Sequence, residues 1–333
     1  MELSDSELAG VKSFREYIEL MEKKEEEKEE QLRKDWEIKD KRTYGEQEIE
    51  EHREGSRSFC SLLSPSPVAA DSQYGVPRKS LQIFSIKVTG LKYGLSWPLQ
   101  VYGSVAFRNS VEPKVNYLFR CTKDNCQTLT QKDPFLRLTG PSRAIWLLDM
   151  VFIDVQLKVK CKKESEDEVL TYKFSDFHQL FPFDPSKHVI RRPIPCKRCT
   201  LELDLAMLPS SVEATVGVRV VYGSWPDQCA GLVACNTESV KGGQVVLLDF
   251  QDGKLPTKSD GVVELVRRVV SVDYPEGKLI VSVEASRDGF SAQCTVEFEM
   301  QASGRSTDMC DLIFCKMEVT VCWSTLLLQN ILD

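Results

Sequence analysis

The chain has 333 residues, 42% of them apolar, enough for two domains of ordinary size with real cores. Its net charge of −7 is concentrated at one end, because residues 1–57 carry 19 acidic and 12 basic side chains and the remainder carries 31 of each. A neutral globular part argues against nucleic acid as a partner, an acidic start argues against a secretory signal, and the most apolar run, Ala144 to Val155, is cut by Asp149 and Asp154, which argues against a membrane span.

Ser4 and Glu7 form a capping box that opens a helical pattern. Leu8, Val11, Phe14, Ile18 and Met21 then recur at intervals of three and four, as one stripe of a helix. The stripe thins through Glu22–Glu30, a charged run with pairs such as Glu19–Lys23, and returns weakly at Leu32, Trp36 and Ile38. This predicts a charged helical tail over 1–57, solvated and frayed. A short coiled coil or a helix that docks an unknown protein partner is the alternative.

A linker is predicted over 58–80, where Ser64-Pro-Ser-Pro67 and Gly75-Val-Pro77 fall. From Leu81 the texture is that of strands. Ile153, Val155, Leu157 and Val159 alternate with Asp154, Gln156, Lys158 and Lys160, and Met317, Val319, Val321 and Trp323 alternate with Lys316, Glu318, Thr320 and Cys322. Period two of this kind means antiparallel strands with one wet face. Thr139-Gly-Pro141, Gln251-Asp-Gly253 and Pro275-Glu-Gly277 punctuate the runs, and Lys162–Glu168 reads as a charged hairpin loop.

One segment occurs twice. Tyr93–Ala106 aligns with Tyr222–Ala234 at nine identical positions of thirteen, including Trp97-Pro98 and Trp225-Pro226. The match extends to Asp124 with Asp252, Asp133 with Asp260, Leu138 with Leu265, and Val155–Val159 with Leu279–Val283. The offset drifts in small steps, as loop deletions produce. Two copies are too few for a solenoid. The expectation is a mainly β protein of two tandem related antiparallel β-sandwich-like domains at 81–180 and 201–324. A Pro-rich connection lies at 181–200 and a short tail at 325–333.

Few residues carry chemistry. Cys196-Lys-Arg-Cys199 is half of a tetrahedral zinc site, which Cys310 and Cys315 would have to complete. Free thiols are the plainer reading, and a redox pair is a third. His52, His178 and His188 stand beside no nucleophile that sequence can identify. Asp124, Asp133, Asp252 and Asp260 lack the clustering that calcium needs and fit turn chemistry. Arg191, Arg192, Lys197 and Arg198 read as a solvated basic patch. No phosphate-cradling glycine motif occurs. No catalytic, cofactor or metal residue is therefore assigned. Trp97 and Trp225 are the binding candidates, since each offers a flat aromatic face; a core plug is the competing role.

Ser85-Ile-Lys-Val-Thr89, Trp97-Pro98, Asp124-Asn-Cys-Gln127, Asp133-Pro134 and Leu138-Thr-Gly-Pro141 together resemble a plant family, found chiefly in grasses, catalogued as domain of unknown function 6598. The second half is similar to it at Ser211–Thr215, Gly223–Pro226, Leu247–Asp249, Lys254–Pro256, Asp260-Gly261, Arg267–Val272 and Cys315–Val319. The resemblance spans roughly 81–324 and implies no known activity. Some members of that family are fused to a ribosome-inactivating rRNA N-glycosylase. Glu284-Ala-Ser-Arg287 resembles that enzyme's Glu-Ala-x-Arg motif, but it follows an alternating strand and precedes a turn, whereas the glycosylase motif needs a helix. Twelve cysteines without an export signal point to reduced thiols in the cytosol or nucleus. The functional expectation is a non-enzymatic binding or interaction module, linked by the resemblance to stress or defence. A ribosome- or translation-directed protein and a carbohydrate- or lipid-binding sandwich are the alternatives.

Overall fold

The computed structural model describes residues 16, 20, 21, 23, 24, 26–35, 75–109, 115–148, 150–161, 167–184, 188–251, 253–287 and 289–325. The capping box, most of the first apolar stripe, Trp36, Ile38, His52, the Ser-Pro linker, residues 162–166 of the charged loop, Asp252 and the tail after 325 lie outside them. The helical pattern is present: residues 26–35 form helix α1, and the described residues from 16 to 24 are helical as well. Its surface pairs include Glu30–Lys34 at 2.7 Å and Lys23–Glu27 at 3.8 Å.

Everything that follows is dominated by antiparallel strands. The first are β1 (Arg78–Thr89), β2 (Leu99–Asn109), β3 (Asn116–Cys121), β4 (Gln127–Leu129), β5 (Ile145–Trp146), β6 (Val151–Val159) and β7 (Glu168–Asp176). A single helical turn, α2 (Phe177–Leu180), precedes β8 (Ile190–Pro195) and β9 (Thr200–Gly223). Then come β10 (Ala230–Thr237), β11 (Val245–Phe250), β12 (Val269–Asp273), β13 (Lys278–Arg287), β14 (Phe290–Glu299), β15 (Gly304–Asp311) and β16 (Cys315–Ser324). The strand β8 and its turn fall in the stretch read from sequence as a connection.

The organising element is β9. Its 24 residues at about 3.3 Å each run on the order of 75 Å. Its first half pairs with β1 and β8, and its second half with β12 and β16. One seven-stranded sheet thus runs through both halves of the chain. Facing its first half is the sheet β3-β2-β6-β7, with β4 on β2; facing its second half is β11-β10-β13-β14. The pairing scheme repeats: β1 sits between β5 and β9 as the second half of β9 sits between β12 and β16, and β2–β6–β7 is matched by β10–β13–β14.

Each half has its own core, because alternate residues of facing strands point into the same space. Ile83 and Ile86 of β1, Val101 and Val105 of β2, Ile153 and Val155 of β6, and Leu201 and Leu203 of β9 fill the first. Val216 of β9, Val233 of β10, Val281 of β13 and Val319 of β16 are in the second.

The halves are pinned together by polar contacts as well as by the shared strand. Phe84 is the extra residue of a bulge between Ile83 and Ser85, and its ring packs on the second core. Arg267, 3% exposed, donates to the carbonyls of Gly140 at 2.7 Å, Ile83 at 2.8 Å and Phe84 at 3.3 Å. Burial pushes its guanidinium down to about 10, so it stays charged at neutral pH. Gln82 accepts from Ser271 N–H at 2.9 Å, and Glu213 accepts from Ala144 N–H at 2.6 Å.

Candidate functional site

The first sandwich has an open side. β7 is an edge of one sheet and β8 an edge of the other, so the gap between them exposes ladder groups and core. Helix α1 closes it. Glu29 accepts from Lys173 Nζ at 2.6 Å, from Ser175 Oγ at 3.3 Å and from the free edge N–H of Phe174 at 3.3 Å. One turn on, the Arg33 guanidinium pairs with Asp154 and donates to the Tyr172 hydroxyl, with its Cζ 4.3 Å from the centre of the Tyr172 ring. Asp154 also accepts from Arg108 Nε at 3.0 Å. Toward β8, Glu26 pairs with Lys197 at 3.2 Å.

These ions are buried: Glu29 is 6% exposed, Arg33 8% and Asp154 2%, and Lys173 is buried too. The strand β6 was expected to have one wet face; at Phe152 and Asp154 that face is dry, because the helix and Arg108 cover it. The solvated-helix expectation gives way for the same reason. Glu29 and Arg33 stand four apart, so both project to one side of α1, and that side lies on the chain's own sheet. Burial raises the Tyr172 phenol, and the Asp154 carboxylate beside it adds to the shift.

Two cavities adjoin the helix. One of about 700 Å³ is bordered by Glu26, Glu30, Tyr172, Lys197 and Arg198; one of about 140 Å³ by Glu29, Lys92, Lys173 and Cys196. Glu26, Tyr172 and Lys197 line both, so the two adjoin each other. In the second half the matching edges, β14 and β15, pack close to each other.

The residues singled out from sequence scatter over the fold. Trp97 and Trp225 each stand at the entrance to an inner strand, half-buried against the first and second core respectively. Trp225 has aromatic company, Phe250 at 5.4 Å and Phe314 at 5.6 Å, and donates to Cys229 O at 3.0 Å. Cys196 and Cys199 flank the turn before β9, while Cys315 is opposite Gly223 at its far end. A four-cysteine zinc site from Cys196, Cys199, Cys310 and Cys315 is therefore excluded by the length of β9. Among the described residues no group of three or more His, Cys, Asp or Glu could hold a metal ion.

The Asp260 carboxylate does turn work, accepting from Val262 N–H at 3.1 Å, whereas the turn at Asp133 is closed by its backbone, with Asp133 N–H donating to Thr130 Oγ1 at 3.0 Å and Thr130 N–H to Asp133 O at 3.0 Å. Asp124 lies in the turn before β4. His178 sits on α2 and His188 before β8, both exposed. The basic patch is paired: Arg191 with Asp204 at 2.7 Å, Arg192 with Asp184 at 3.5 Å, and Arg198 with Glu168. Glu284 and Arg287 lie on β13, a strand. Sequence reasoning missed Glu29, Arg33 and Lys173. Their only sequence signal is a charge inside an apolar strand, at Lys173 between Tyr172 and Phe174 and at Asp154 between Ile153 and Val155.

A protein family described as "Domain of unknown function (DUF6598)" matches residues 80–321. The chain belongs to this family. The match takes in both sandwiches of the DUF6598 chain and leaves α1 outside. No curated protein matches. Among solved structures, the paired C2 domains of Extended-Synaptotagmin 2 are 10% identical, with a TM-score of 0.27, covering 79% of this chain and 99% of that one. Human GIVD cytosolic phospholipase A2 is 9% identical, with a TM-score of 0.23, covering 75% of this chain and 33% of the phospholipase. Among the described residues no helix is long and apolar enough to cross a membrane.

Proposed function

We propose that this DUF6598 chain is a non-enzymatic binding module whose recognition surface is the open side of the first sandwich, with α1 as its resident occupant. The observation that carries the reading is the pair of buried ionic contacts from helix to sheet, Glu29 to Lys173 and Arg33 to Asp154. Buried ion pairs add little net stability over an apolar contact, but they enforce one partner and one register. A helix held this way is exchangeable for another helix with Glu and Arg four apart on one face. The partner is therefore a protein presenting such a helix, which displaces α1. A labelled peptide of residues 16–35 tests this by fluorescence anisotropy. The full chain with Glu29→Lys, whose own helix is repelled by Lys173, is expected to bind it roughly tenfold or more tighter than the wild type. A variant whose helix is released to protease yet binds no peptide overturns the reading.

One observation favours a second reading, a lipid- or carbohydrate-binding tip on the second sandwich. Ile313 is 96% exposed at a left-handed φ of 74°, beside exposed Val221, Tyr222 and Phe290 and the Trp225–Phe314 pair. Binding to liposomes and glycan arrays that is unchanged by Trp225→Ala and Ile313→Asp removes it. The recurrent pairing scheme supports two copies of one unit, of which, among the described residues, the second carries the aromatic tip and the first the covering helix. The cysteine usage supports a cytosolic or nuclear home, which fractionation tests.

A further inference from the structure

We propose that Cys196 and Cys199 form a thiol–disulfide exchange site that opens into the seam cavity and reacts with small acidic disulfides of the oxidised-glutathione kind. The geometry starts from the turn. Pro195 pairs with Thr200, and Cys196 N–H donates to Cys199 O at 3.0 Å, so the two cysteines are directly opposite each other across Lys197 and Arg198. Directly opposite residues share a face, and a hydrogen-bonded antiparallel pair has Cα atoms about 5.5 Å apart. That lies within the range a disulfide spans.

The two thiols differ in access. Cys196, 9% exposed, borders the cavity of about 140 Å³ together with Lys92 and the Lys173–Glu29 and Lys197–Glu26 pairs, while Cys199 is wholly buried in the core. They also differ in acidity: the hydrogen bond from Cys199 and the charge of Lys173 lower the Cys196 thiol, and the same hydrogen bond and burial raise Cys199. The second half supplies an internal contrast. Its matching turn has the same bond, Leu312 N–H to Cys315 O at 3.0 Å, with a buried leucine in the place of Cys196. Packing alone is thus met by an apolar side chain at this position.

The exchange balances as two displacements. The Cys196 thiolate attacks one sulfur of the disulfide; that S–S bond breaks and its electron pair leaves on one glutathione thiolate, which takes the proton given up by Cys196. Cys199 then loses its proton and attacks Cys196 Sγ, expelling the second glutathione. The pair has lost two electrons and two protons, and both have gone to the glutathione. Lys173 and Lys197 are already paired with Glu29 and Glu26, so Lys92, which makes no ion pair among the described residues, is the cation left for a carboxylate of that tripeptide, and the adjoining space of about 700 Å³ gives it room.

The test uses the full chain and oxidised glutathione, with peptide mapping by mass spectrometry. The wild type is expected to give an internal Cys196–Cys199 disulfide that dithiothreitol reverses. Cys199→Ser is expected to accumulate a glutathione adduct on Cys196, and Cys196→Ser to leave Cys199 unmodified, at least about tenfold slower. Limiting iodoacetamide on the wild type, which needs no variant to fold, should label Cys196 before Cys199. An unmodified pair under conditions that modify Cys121 and Cys294, equal reaction of the two serine variants, or labelling in the opposite order each overturns the proposal.

Discussion

Replacing Arg267 by Met should separate the two sandwiches energetically. Met is unbranched and replaces the aliphatic stem of the arginine, but it donates no hydrogen bonds. Ile83 O keeps a second donor, Gln82 Nε2 at 3.1 Å. Phe84 O belongs to the bulge residue, which the ladder to β9 skips, and Gly140 O loses its 2.7 Å bond. Two buried carbonyls are stripped, at about 1–3 kcal/mol each. Part of this is returned, because a guanidinium no longer has to be desolvated. The net cost is about 2–4 kcal/mol, and it falls on the junction and not on either core. With m near 3 kcal/mol/M, the urea midpoint should drop by about 1 M. Tryptophan fluorescence follows both halves, through Trp97 and Trp146 in the first and Trp225 and Trp323 in the second. The transition should broaden or split as the halves unfold at different urea concentrations. A midpoint within about 0.2 M of the wild type, with a single sharp transition, refutes the reasoning.

Four further outcomes follow from local geometry. Arg33→Ala should release α1 less readily than Glu29→Lys, because Arg108 still neutralises Asp154; limited proteolysis of residues 1–57 ranks the two. Ile313→Gly should stabilise the fold by about 0.5–1.5 kcal/mol, since it relieves a β-branched residue at positive φ with nothing packed on it; thermal unfolding reads the sign. Gly103→Ala should destabilise by about 3 kcal/mol or more, because its φ is 120° and an added Cβ lands on the Gln156 carbonyl of the neighbouring central strand; loss of soluble expression or a lowered midpoint checks it. Asp167 is held down to about 2, first by Lys123 and then by Cys161 N–H. Its folded value is depressed below the usual 3.8, so its contribution is present above that pH and lost as pH falls toward 2. Asp167→Asn should flatten the acid limb of the midpoint-against-pH curve in that window.

The strands were legible because period two is a strong signal: Ile153–Val159 and Met317–Trp323 lie on β6 and β16 as expected. The turn role of Asp260 and the strand setting of Glu284 were legible too, since both depend on neighbours in sequence. What could not be read is whatever joins distant residues. Glu29 and Lys173 are 144 positions apart, and nothing local distinguishes Glu29 from Glu26 or Glu30. Arg267 looks like one more basic residue beside Arg268; only the bulge at Phe84 and the approach of Gly140 turn it into an inter-sandwich clamp. The wet face of β6 was misjudged because alternation reports which side is apolar, not what later covers the polar side.

The two sandwiches close their seams differently, and the difference bears on function. A sandwich with open edges at β7 and β8 can be closed by drawing the strands together, as β14 and β15 are in the second half, or by inserting a helix. The first route is permanent, because it uses the strands themselves and the core behind them. The second is conditional: α1 brings two buried ions and leaves two buried ions behind if it departs. An emptied seam would expose Lys173 and Asp154 to water, so the cost of release is softened by hydration, and a second helix of the same polarity would recover the pairs in full. On the proposed function, closure by α1 has low net affinity and high selectivity, which is the balance a displaceable occupant needs. If α1 were only a structural plug, apolar side chains facing β7 would serve better; replacing Glu29 and Lys173 together by Leu and Met should hold the helix at least as firmly as the ion pair does. Hydrogen exchange at the backbone amides of α1 from Glu30 to Asp35, whose acceptors the two replacements leave in place, measures that hold directly. Faster exchange in the double variant than in the wild type would show that the ion pair contributes stability and not just selectivity, and would refute this division of roles.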